Sequence, residues 1–217
     1  MTLQRKAIPC GSCGFGHALP GAVSLGSVTT KFDPAAAKTR LLQLIRERAY
    51  KDGIDIVLAS GKRSDFYING KKVSLHPEGL WLIAKLLLEK LKNYPEITAV
   101  GGLTIGADPL ASAVAALSFE SGQNLHAFLV RKDAKGHGTA RFVEGRENLP
   151  DGTPVCVVED TVTTGGSLLR AVDRCEAEGL RVVQCLTIVD REEGGAEALA
   201  ERGLTLDVLV RRSELEG

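Results

Sequence analysis

The clearest candidate for chemistry is the stretch from residue 155 to 167, which reads VCVVEDTVTTGGS. Its apolar start predicts a buried strand over residues 153–158, and two acids, Glu159 and Asp160, follow that strand directly. Two neighbouring carboxylates can each accept a hydrogen bond from one hydroxyl of a vicinal diol such as that of ribose. At a strand end both side chains can turn toward a ligand above the sheet, so the pair is a candidate sugar-binding site.

The turn after the acids has the composition of an anion-binding cup. Backbone N–H groups at the start of a helix bind anions, and glycines let the backbone approach closely. The Lys of the GxxxxGK[ST] motif is absent, which favours a monophosphate over a nucleoside triphosphate. The alternative is a strand–turn–helix whose acids and hydroxyls only cap the helix. The residues of the predicted cup are Thr161, Val162, Thr163, Thr164, Gly165, Gly166 and Ser167.

A basic loop from Arg131 to Gly138 is the second candidate, and it also follows a predicted strand. Its charges suit a highly charged anion such as pyrophosphate, and its glycines suit a segment that closes over a site and excludes water. Taken alone, the same composition fits a solvated surface loop equally well. The cationic or titratable residues are Arg131, Lys132, Lys135 and His137.

The rest of the chain supplies the elements that must position these two segments. Leu41, Leu42, Leu44 and Ile45 have helical spacing, and further helices are predicted over residues 77–91, 109–121, 167–178 and 195–202. Strands are predicted over residues 54–58, 97–101, 127–130, 153–158, 182–189 and 206–210. Asn69-Gly70, between residues 66–68 and 72–75, predicts a β-hairpin. This alternation predicts an α/β fold with a parallel, twisted sheet flanked by helices, whose ligands bind at the carboxyl ends of the strands.

The composition argues against nucleic-acid and membrane partners. The chain has 217 residues with 27 basic and 27 acidic side chains, and it has no apolar run near the roughly 18 residues that a membrane span needs. Cys156, Cys175 and Cys185 lie in apolar patterns and are expected to be buried thiols of a cytoplasmic protein. Cys10, Cys13 and His17 give one ligand fewer than a closed structural zinc site requires, so no metal is expected there.

The amino-terminal segment differs from the remainder of the chain. Residues 1–32 are rich in Gly and Ser and contain no acid, so they are expected to be a disordered extension. Residues 33–217 are expected to form the folded domain, in which residues of about 33–76 and the C-terminal segment make a small hood subdomain.

The stretch from 155 to 167 resembles the 5-phosphoribosyl-1-pyrophosphate (PRPP) motif of type I phosphoribosyltransferases. The pattern Arg-Lys-x-x-Lys-x-His from residue 131 is similar to the catalytic loop of the orotate phosphoribosyltransferases. The resemblance implies that Glu159 and Asp160 hold the ribose hydroxyls and that residues 161–167 bind the 5-phosphate. It also implies that Lys135 and Asp160 are catalytic and that Arg131, Lys132, Lys135 and His137 bind pyrophosphate.

Two further segments resemble the same family. Residues 60–70 are similar to its hood segment, which implies that Tyr67 and Ile68 contact the base, and residues 101–109 match its pyrophosphate loop. Arg191 matches the family's partner for the orotate carboxylate, a contact that suits the planar guanidinium, and Thr163 matches a residue that touches the base. The alternatives are packing in the hood for Tyr67 and a surface ion pair with Glu192 or Glu193 for Arg191.

The chain also departs from the family pattern. Some members carry Lys before Ser-Gly, where this chain has Ala59, and some carry Lys in the pyrophosphate loop, where this chain reads Leu103 to Gly106. Backbone N–H groups of that loop, or Lys71 and Lys72, are candidates to replace them.

The resemblance therefore implies an orotate phosphoribosyltransferase of pyrimidine (UMP) biosynthesis. Its substrates would be PRPP and orotate, and Mg²⁺ would bind near Asp160 mainly through substrate oxygens and waters. It would be a cytoplasmic homodimer in which each basic loop reaches the partner's site. The alternatives are a transferase for another base, which would not need Arg191, and a PRPP-sensing regulator, which would not need the Lys132, Lys135 and His137 loop.

Overall fold

The structure, a computed structural model, describes residues 32–54, 56–57, 63–64, 66–133 and 141–216, with the backbone alone for 56–57 and 63–64. In chain order, the first elements are α1 (Pro34–Arg48), β1 (Tyr50–Lys51), β2 (Ile56–Val57), β3 (Arg63–Ser64), β4 (Tyr67–Ile68), α2 (Lys71–Ser74) and α3 (Pro77–Leu91). They are followed by β5 (Ala99–Leu103), α4 (Asp108–Glu120), β6 (His126–Val130), β7 (Val143–Glu144), β8 (Pro154–Val162), α5 (Gly166–Ala177), β9 (Arg181–Asp190), α6 (Gly195–Ala200) and β10 (Leu206–Arg211).

A six-stranded sheet with the order β10-β9-β8-β5-β6-β7 is the centre of the fold. The five strands from β10 to β6 are parallel, and β7 pairs antiparallel with β6 at one edge. From β5 the chain first moves to β6 on one side and then returns to β8 on the other side. The carboxyl ends of β5 and β8 therefore flank the point where the strand order reverses, which is where open α/β sheets bind ligands.

Both faces of this sheet are buried, as the continuous apolar strands predict. Along β8 the side chains alternate between two cores, with Val155 and Val157 in one and Cys156 and Val158 in the other. Helices α1, α3 and α4 contribute to the core that contains Cys156, and α5 and α6 contribute to the opposite core. The predicted α/β class with helices on both faces is confirmed.

The long amino-terminal helices begin where their caps predict. Asp33 accepts a hydrogen bond from Ala35 N at 2.9 Å and starts α1, and Pro77 occupies the first turn of α3. The C-terminal residues pack on α1, because Lys38 forms an ion pair with Glu214 at 2.7 Å and Arg46 donates to the Glu214 carbonyl at 2.8 Å.

The predicted hairpin at Asn69-Gly70 is wrong. Strand β4 pairs antiparallel with β1 instead, and the chain continues directly into the short helix α2. Gly70 has helical backbone angles (φ −53°, ψ −31°), and the Asn69 side chain accepts a hydrogen bond from Lys71 N at 3.2 Å. Val73 is buried in the core while the preceding lysines are exposed, and this burial favours a helix over a second strand. It is a tertiary effect, so the Asn-Gly dipeptide alone does not reveal it.

The predicted end of the strand that carries the acids is also wrong. Strand β8 continues to Val162, and Glu159 and Thr161 pair with Thr187 and Val189 of β9. The apolar pattern stops at residue 158, but backbone pairing requires only a neighbouring strand of sufficient length, and β9 provides one.

The remaining expectations concern cysteines and termini. Cys156, Cys175 and Cys185 are buried free thiols, as predicted, and burial raises the pKa of Cys175 and of Cys185 to about 12. Cys10, Cys13 and His17 lie outside the described residues, as does every other residue before Phe32. Within the described ranges, no helix combines the length and the apolar character that crossing a bilayer demands.

Candidate active site

The two predicted diol ligands lie inside β8 rather than after it, so they point in different directions. Asp160 is 6% exposed, and its Oδ2 receives an ion pair from Lys71 Nζ at 2.8 Å. Glu159 lines a cavity together with the predicted phosphate cup. The strand therefore divides the two carboxylates between two neighbouring environments, and among the described residues only the Asp160 carboxylate forms an ion pair.

The predicted cup is an open cavity of about 620 Å³ at the amino end of α5. Gly165 has φ +79°, a left-handed conformation that L side chains rarely adopt, and it brings the chain from β8 into the helix. Arg170, in the first turns of α5, lines the same cavity and was missed by sequence reasoning. The cavity is lined by Glu159, Thr161, Val162, Thr163, Thr164, Gly165, Gly166, Ser167 and Arg170.

The electrostatics of the cup are dominated by the largely buried carboxyl group of Glu159. The pKa of Glu159 is raised to about 7, first because the carboxyl is buried and second because Asp160 is negatively charged. Lys71, Arg170 and Lys132 oppose this shift but do not cancel it. Thr161 Oγ1 is buried and has no hydrogen-bond partner among the described residues. The cup thus has spare hydrogen-bonding capacity for a ligand.

The predicted pyrophosphate loop meets β8 at the point where the strand order reverses. A Cβ on Gly106 would lie 2.8 Å from Asp160 Oδ1, so only glycine allows the loop backbone to approach that carboxylate. On the other side, a Cβ on Gly70 would lie 2.9 Å from Thr161 Oγ1. The hood segment, the pyrophosphate loop and the acid pair, which are far apart in sequence, therefore converge around Asp160.

The stem of the basic loop lies beside the pyrophosphate loop, and the two line an open cavity of about 410 Å³ with Thr104 and Lys132 on its wall. Arg131 forms an ion pair with Glu144 at 2.7 Å. Arg174 of α5 donates to the carbonyls of Arg131 and Lys132, the latter at 2.7 Å. Helix α5 therefore carries the cup at its start and supports the loop stem further along.

Two of the loop's predicted pyrophosphate ligands, Lys135 and His137, lie outside the described residues. Their roles therefore stay predictions.

The predicted base pocket has one buried and one exposed half. Arg191 is 5% exposed, lies 4.4 Å from the Phe66 ring centroid and pairs with Glu193 at 2.9 Å. Tyr67 is 38% exposed, whereas Ile68 is buried in the core. The ion pair with Glu193, the predicted alternative for Arg191, is thus present, but its Arg191 side is buried while Glu193 is partly exposed. The pair holds the guanidinium against the hood segment.

Comparison with known proteins gives the family. The model of the phosphoribosyl transferase domain matches residues 71–206, more than half of the chain. The orotate phosphoribosyltransferase of Thermosynechococcus vestitus is 49% identical over 182 residues, which cover 84% of this chain and 94% of that protein. The chain belongs to the orotate phosphoribosyltransferase family. A second member, from Nostoc sp., is 44% identical over 184 residues and covers 85% of this chain and 87% of its own length.

A solved member of the orotate phosphoribosyltransferase family has the same fold. The Mycobacterium tuberculosis H37Rv enzyme, in complex with PRPP, matches with a TM-score of 0.68 and 33% identity over 83% of this chain and 99% of its own. The fold and family predicted from the motifs are therefore confirmed. Arg170 and Arg174 are charged neighbours of the predicted orotate phosphoribosyltransferase residues that the motifs did not reveal, whereas Lys71 and Glu193 were already candidates from the sequence.

Proposed function

We propose that this chain transfers the 5-phosphoribosyl group of PRPP to orotate and releases pyrophosphate and orotidine 5′-monophosphate, a step of UMP synthesis. The observation that carries this proposal is the convergence of the cup, the acid pair and the glycine-rich loop where the strand order reverses. One monophosphate, one diol and one pyrophosphate occur together in PRPP, and each has a matching group of residues here.

In the proposed complex, the 5-phosphate of PRPP lies in the cup and accepts hydrogen bonds from the backbone at the start of α5. The hydroxyls of Thr161, Thr163, Thr164 and Ser167 add donors, and Arg170 supplies a positive charge at the same cavity. The ribose hydroxyls donate to Glu159 and Asp160. The backbone around Gly106 faces the pyrophosphate.

The base would lie between β9 and the hood segment. Arg191 would bind the orotate carboxylate, with Tyr67, Ile68 and Thr163 nearby. Its guanidinium is oriented in advance by Glu193 and Phe66, which lowers the entropic cost of binding. Because Glu193 holds one edge of the guanidinium, the orotate carboxylate would share Arg191 with it rather than capture a free cation.

The donor set at the acid pair fits Mg²⁺. The Glu159 carboxylate offers oxygen ligands and forms no side-chain hydrogen bond with a described residue, and Asp160 lies next to it on the strand. Mg²⁺ is bound in such sites by one or two carboxylates together with substrate phosphates and waters. When bound, it would neutralise charge on the pyrophosphate oxygens.

The chemistry proposed for the chain's own residues is stabilisation of the leaving pyrophosphate. Arg131 and Lys132 lie beside the pyrophosphate loop, and Lys135 is the leading catalytic cation, since negative charge grows on the leaving oxygen as the bond to C1 breaks. We also propose a homodimer in which this loop serves the partner's site, as the family resemblance implies.

The direct test of the function mixes the protein with PRPP, Mg²⁺ and orotate and follows the absorbance of orotate. Consumption of orotate with release of pyrophosphate is expected, and hypoxanthine and uracil should not react because neither carries a carboxylate for Arg191. Activity with either control base and none with orotate would overturn the proposal. Tight PRPP binding without turnover of any base would favour a PRPP-sensing regulator.

The role of Lys135 has its own test. Lys135→Ala should lower kcat by about 10²-fold or more, because it removes a charge that is most useful in the transition state, and should change orotate affinity little. Lys92→Ala is the control, since within the part of the chain that the structure describes Lys92 pairs only with Glu89, at the exposed end of α3. Normal turnover by the Lys135 variant would remove that residue from the mechanism.

A further inference from the structure

Helix α2 brings a lysine from the hood segment to the buried acid of β8. Lys71 Nζ lies 2.8 Å from Asp160 Oδ2, although 89 residues separate the two in sequence. The helix that carries Lys71 is fixed at both ends, by the Asn69 side chain at its start and by Val73, which is 1% exposed in the core. The position of the ammonium group is therefore a property of the fold and not of a mobile side chain alone.

The surroundings of Asp160 give its two oxygens different partners. The Gly106 backbone faces Oδ1, and a Cβ there would come within 2.8 Å of that oxygen. Oδ2 faces Lys71, and the side chain of Asp160 is 9% exposed while that of Lys71 is 47% exposed. A carboxylate this buried needs a charged or hydrogen-bonded partner to offset its lost hydration, and among the described residues Lys71 is the cation at hydrogen-bonding distance.

We propose that Lys71 is a positioning residue for PRPP: its ammonium group fixes the orientation of the Asp160 carboxylate that receives the ribose diol. This inference rests on the proposed function, because it assumes that Asp160 faces the PRPP ribose. Lys71 acts through Asp160 and so controls the binding of PRPP and not that of orotate.

The next residue on the same helix provides a matched control. Both lysines were candidates from the sequence to replace the absent family lysines, but among the described residues only Lys71 reaches an acid of the site. Lys72 has the same charge and the same length, is also exposed, and forms no ion pair with any described residue, so it is not part of the site. A general effect of positive charge on α2 would be shared by both lysines, whereas a positioning role belongs to Lys71 alone.

The test measures KM for PRPP and for orotate, together with direct PRPP binding by calorimetry, in Lys71→Met, Lys71→Arg and Lys72→Met. Lys71→Met should weaken PRPP about tenfold or more, the usual effect of a lost hydrogen bond to a charged group. Orotate KM should stay within about twofold, Lys71→Arg should recover part of the loss, and Lys72→Met should match the wild type. Unchanged PRPP affinity in Lys71→Met, or an equal loss in Lys72→Met, would overturn the proposal.

A double-mutant cycle with Asp160→Asn separates action through Asp160 from direct contact with PRPP. If Lys71 acts through Asp160, Lys71→Met should add less than about threefold to the defect of Asp160→Asn, because the partner carboxylate is already neutral. Fully multiplied defects would overturn the positioning role.

Two further measurements keep the result interpretable. Urea unfolding of each variant reports folding. If Lys71→Met lowered PRPP affinity, orotate affinity and the unfolding midpoint together, Lys71 would be a structural residue and the proposal would be overturned. Lys71→Gln replaces Lys71→Met if the latter does not fold. If the wild type fails to convert orotate, the proposed function fails, while the calorimetric comparison of the two lysines still decides the role of Lys71.

Discussion

The carboxyl ends of β8 and β9 are adjacent in the sheet and both carry charged residues, but they handle those charges differently. At the end of β9, Asp190 accepts a hydrogen bond from Glu192 N at 2.9 Å and lies 3.5 Å from Arg211 Nη1, while Arg191 pairs with Glu193. At the end of β8, the Asp160 carboxylate pairs with Lys71, but the Glu159 carboxylate has no hydrogen-bond partner among the described residues.

The difference teaches how one site can combine affinity and selectivity. The open hydrogen-bonding capacity at β8 suits a ligand rich in hydroxyl and phosphate groups, which brings its own partners and counter-ions. The guanidinium at β9 is already paired, so a ligand must offer a carboxylate in the right geometry to compete for or share it. We expect β8 to determine PRPP affinity and β9 to determine which base is accepted.

The largest expected effect comes from removing the guanidinium of β9. Arg191→Ala should weaken orotate by about 30-fold or more, since truncating one member of a buried charge pair costs about 2–5 kcal/mol. PRPP affinity should change little. Glu193→Gln is the matched change, because it keeps the guanidinium, and it should alter orotate KM by only a few-fold. Equal orotate KM in the wild type and in Arg191→Ala would show that β9 does not select the base.

The next largest effect is expected at β8. Asp160→Asn removes the charged acceptor for the diol and should weaken PRPP about 10- to 150-fold, corresponding to roughly 1.5–3 kcal/mol for a hydrogen bond to a charged group. Orotate KM, measured at saturating PRPP, should be nearly unchanged. A variant that loses orotate and PRPP to the same extent would contradict the division of labour between the two strands.

A smaller effect is expected on stability, through Glu159. Its pKa is raised from 4.5 to about 7 in the fold, so between those pH values the folded protein holds a proton that the unfolded chain has lost. Stability therefore falls as pH rises through this window, and the loss is complete above pH 7. Glu159→Gln lacks this penalty and should gain about 1–2 kcal/mol more over the wild type at pH 8 than at pH 5. Urea unfolding at both pH values measures this difference in the free energy of unfolding between the variant and the wild type. The same difference at pH 5 and at pH 8 would show that burial of Glu159 does not destabilise the fold when the carboxyl is ionised.

The smallest effect is expected at the outer ion pair of β9. Arg211 is half-exposed and lies 3.5 Å from Asp190, which keeps its backbone hydrogen bond without it. Arg211→Gln should change the free energy of unfolding by less than about 1 kcal/mol and leave both KM values unchanged. A large loss of orotate affinity would instead mean that the position of Arg191 depends on this pair.

Much of this fold is readable from local patterns. The predicted helix over 77–91 agrees with α3 at both ends, because Pro77 starts it and its leucines have helical spacing. The hairpin failed because Asn69-Gly70 is compatible with a turn and with a helix start, and the choice depended on burial of Val73 and on pairing of β4 with the distant β1. Strand β7 has two residues, too few for any periodicity to predict it.

The site divides in the same way. The acid pair, the cup, the basic loop and Arg191 are each a short run of neighbouring residues, so the sequence by itself determined their chemistry and, through them, the family. The tertiary structure decided which charges meet: Lys71 rather than Lys72 reaches Asp160, Glu193 holds Arg191, and the Glu159 carboxylate is left without an ion-pair partner among the described residues. The physical reason is that ion pairing depends on distances of a few ångströms, and the 89 residues between Lys71 and Asp160 are brought to 2.8 Å only by the packing of α2 on the sheet.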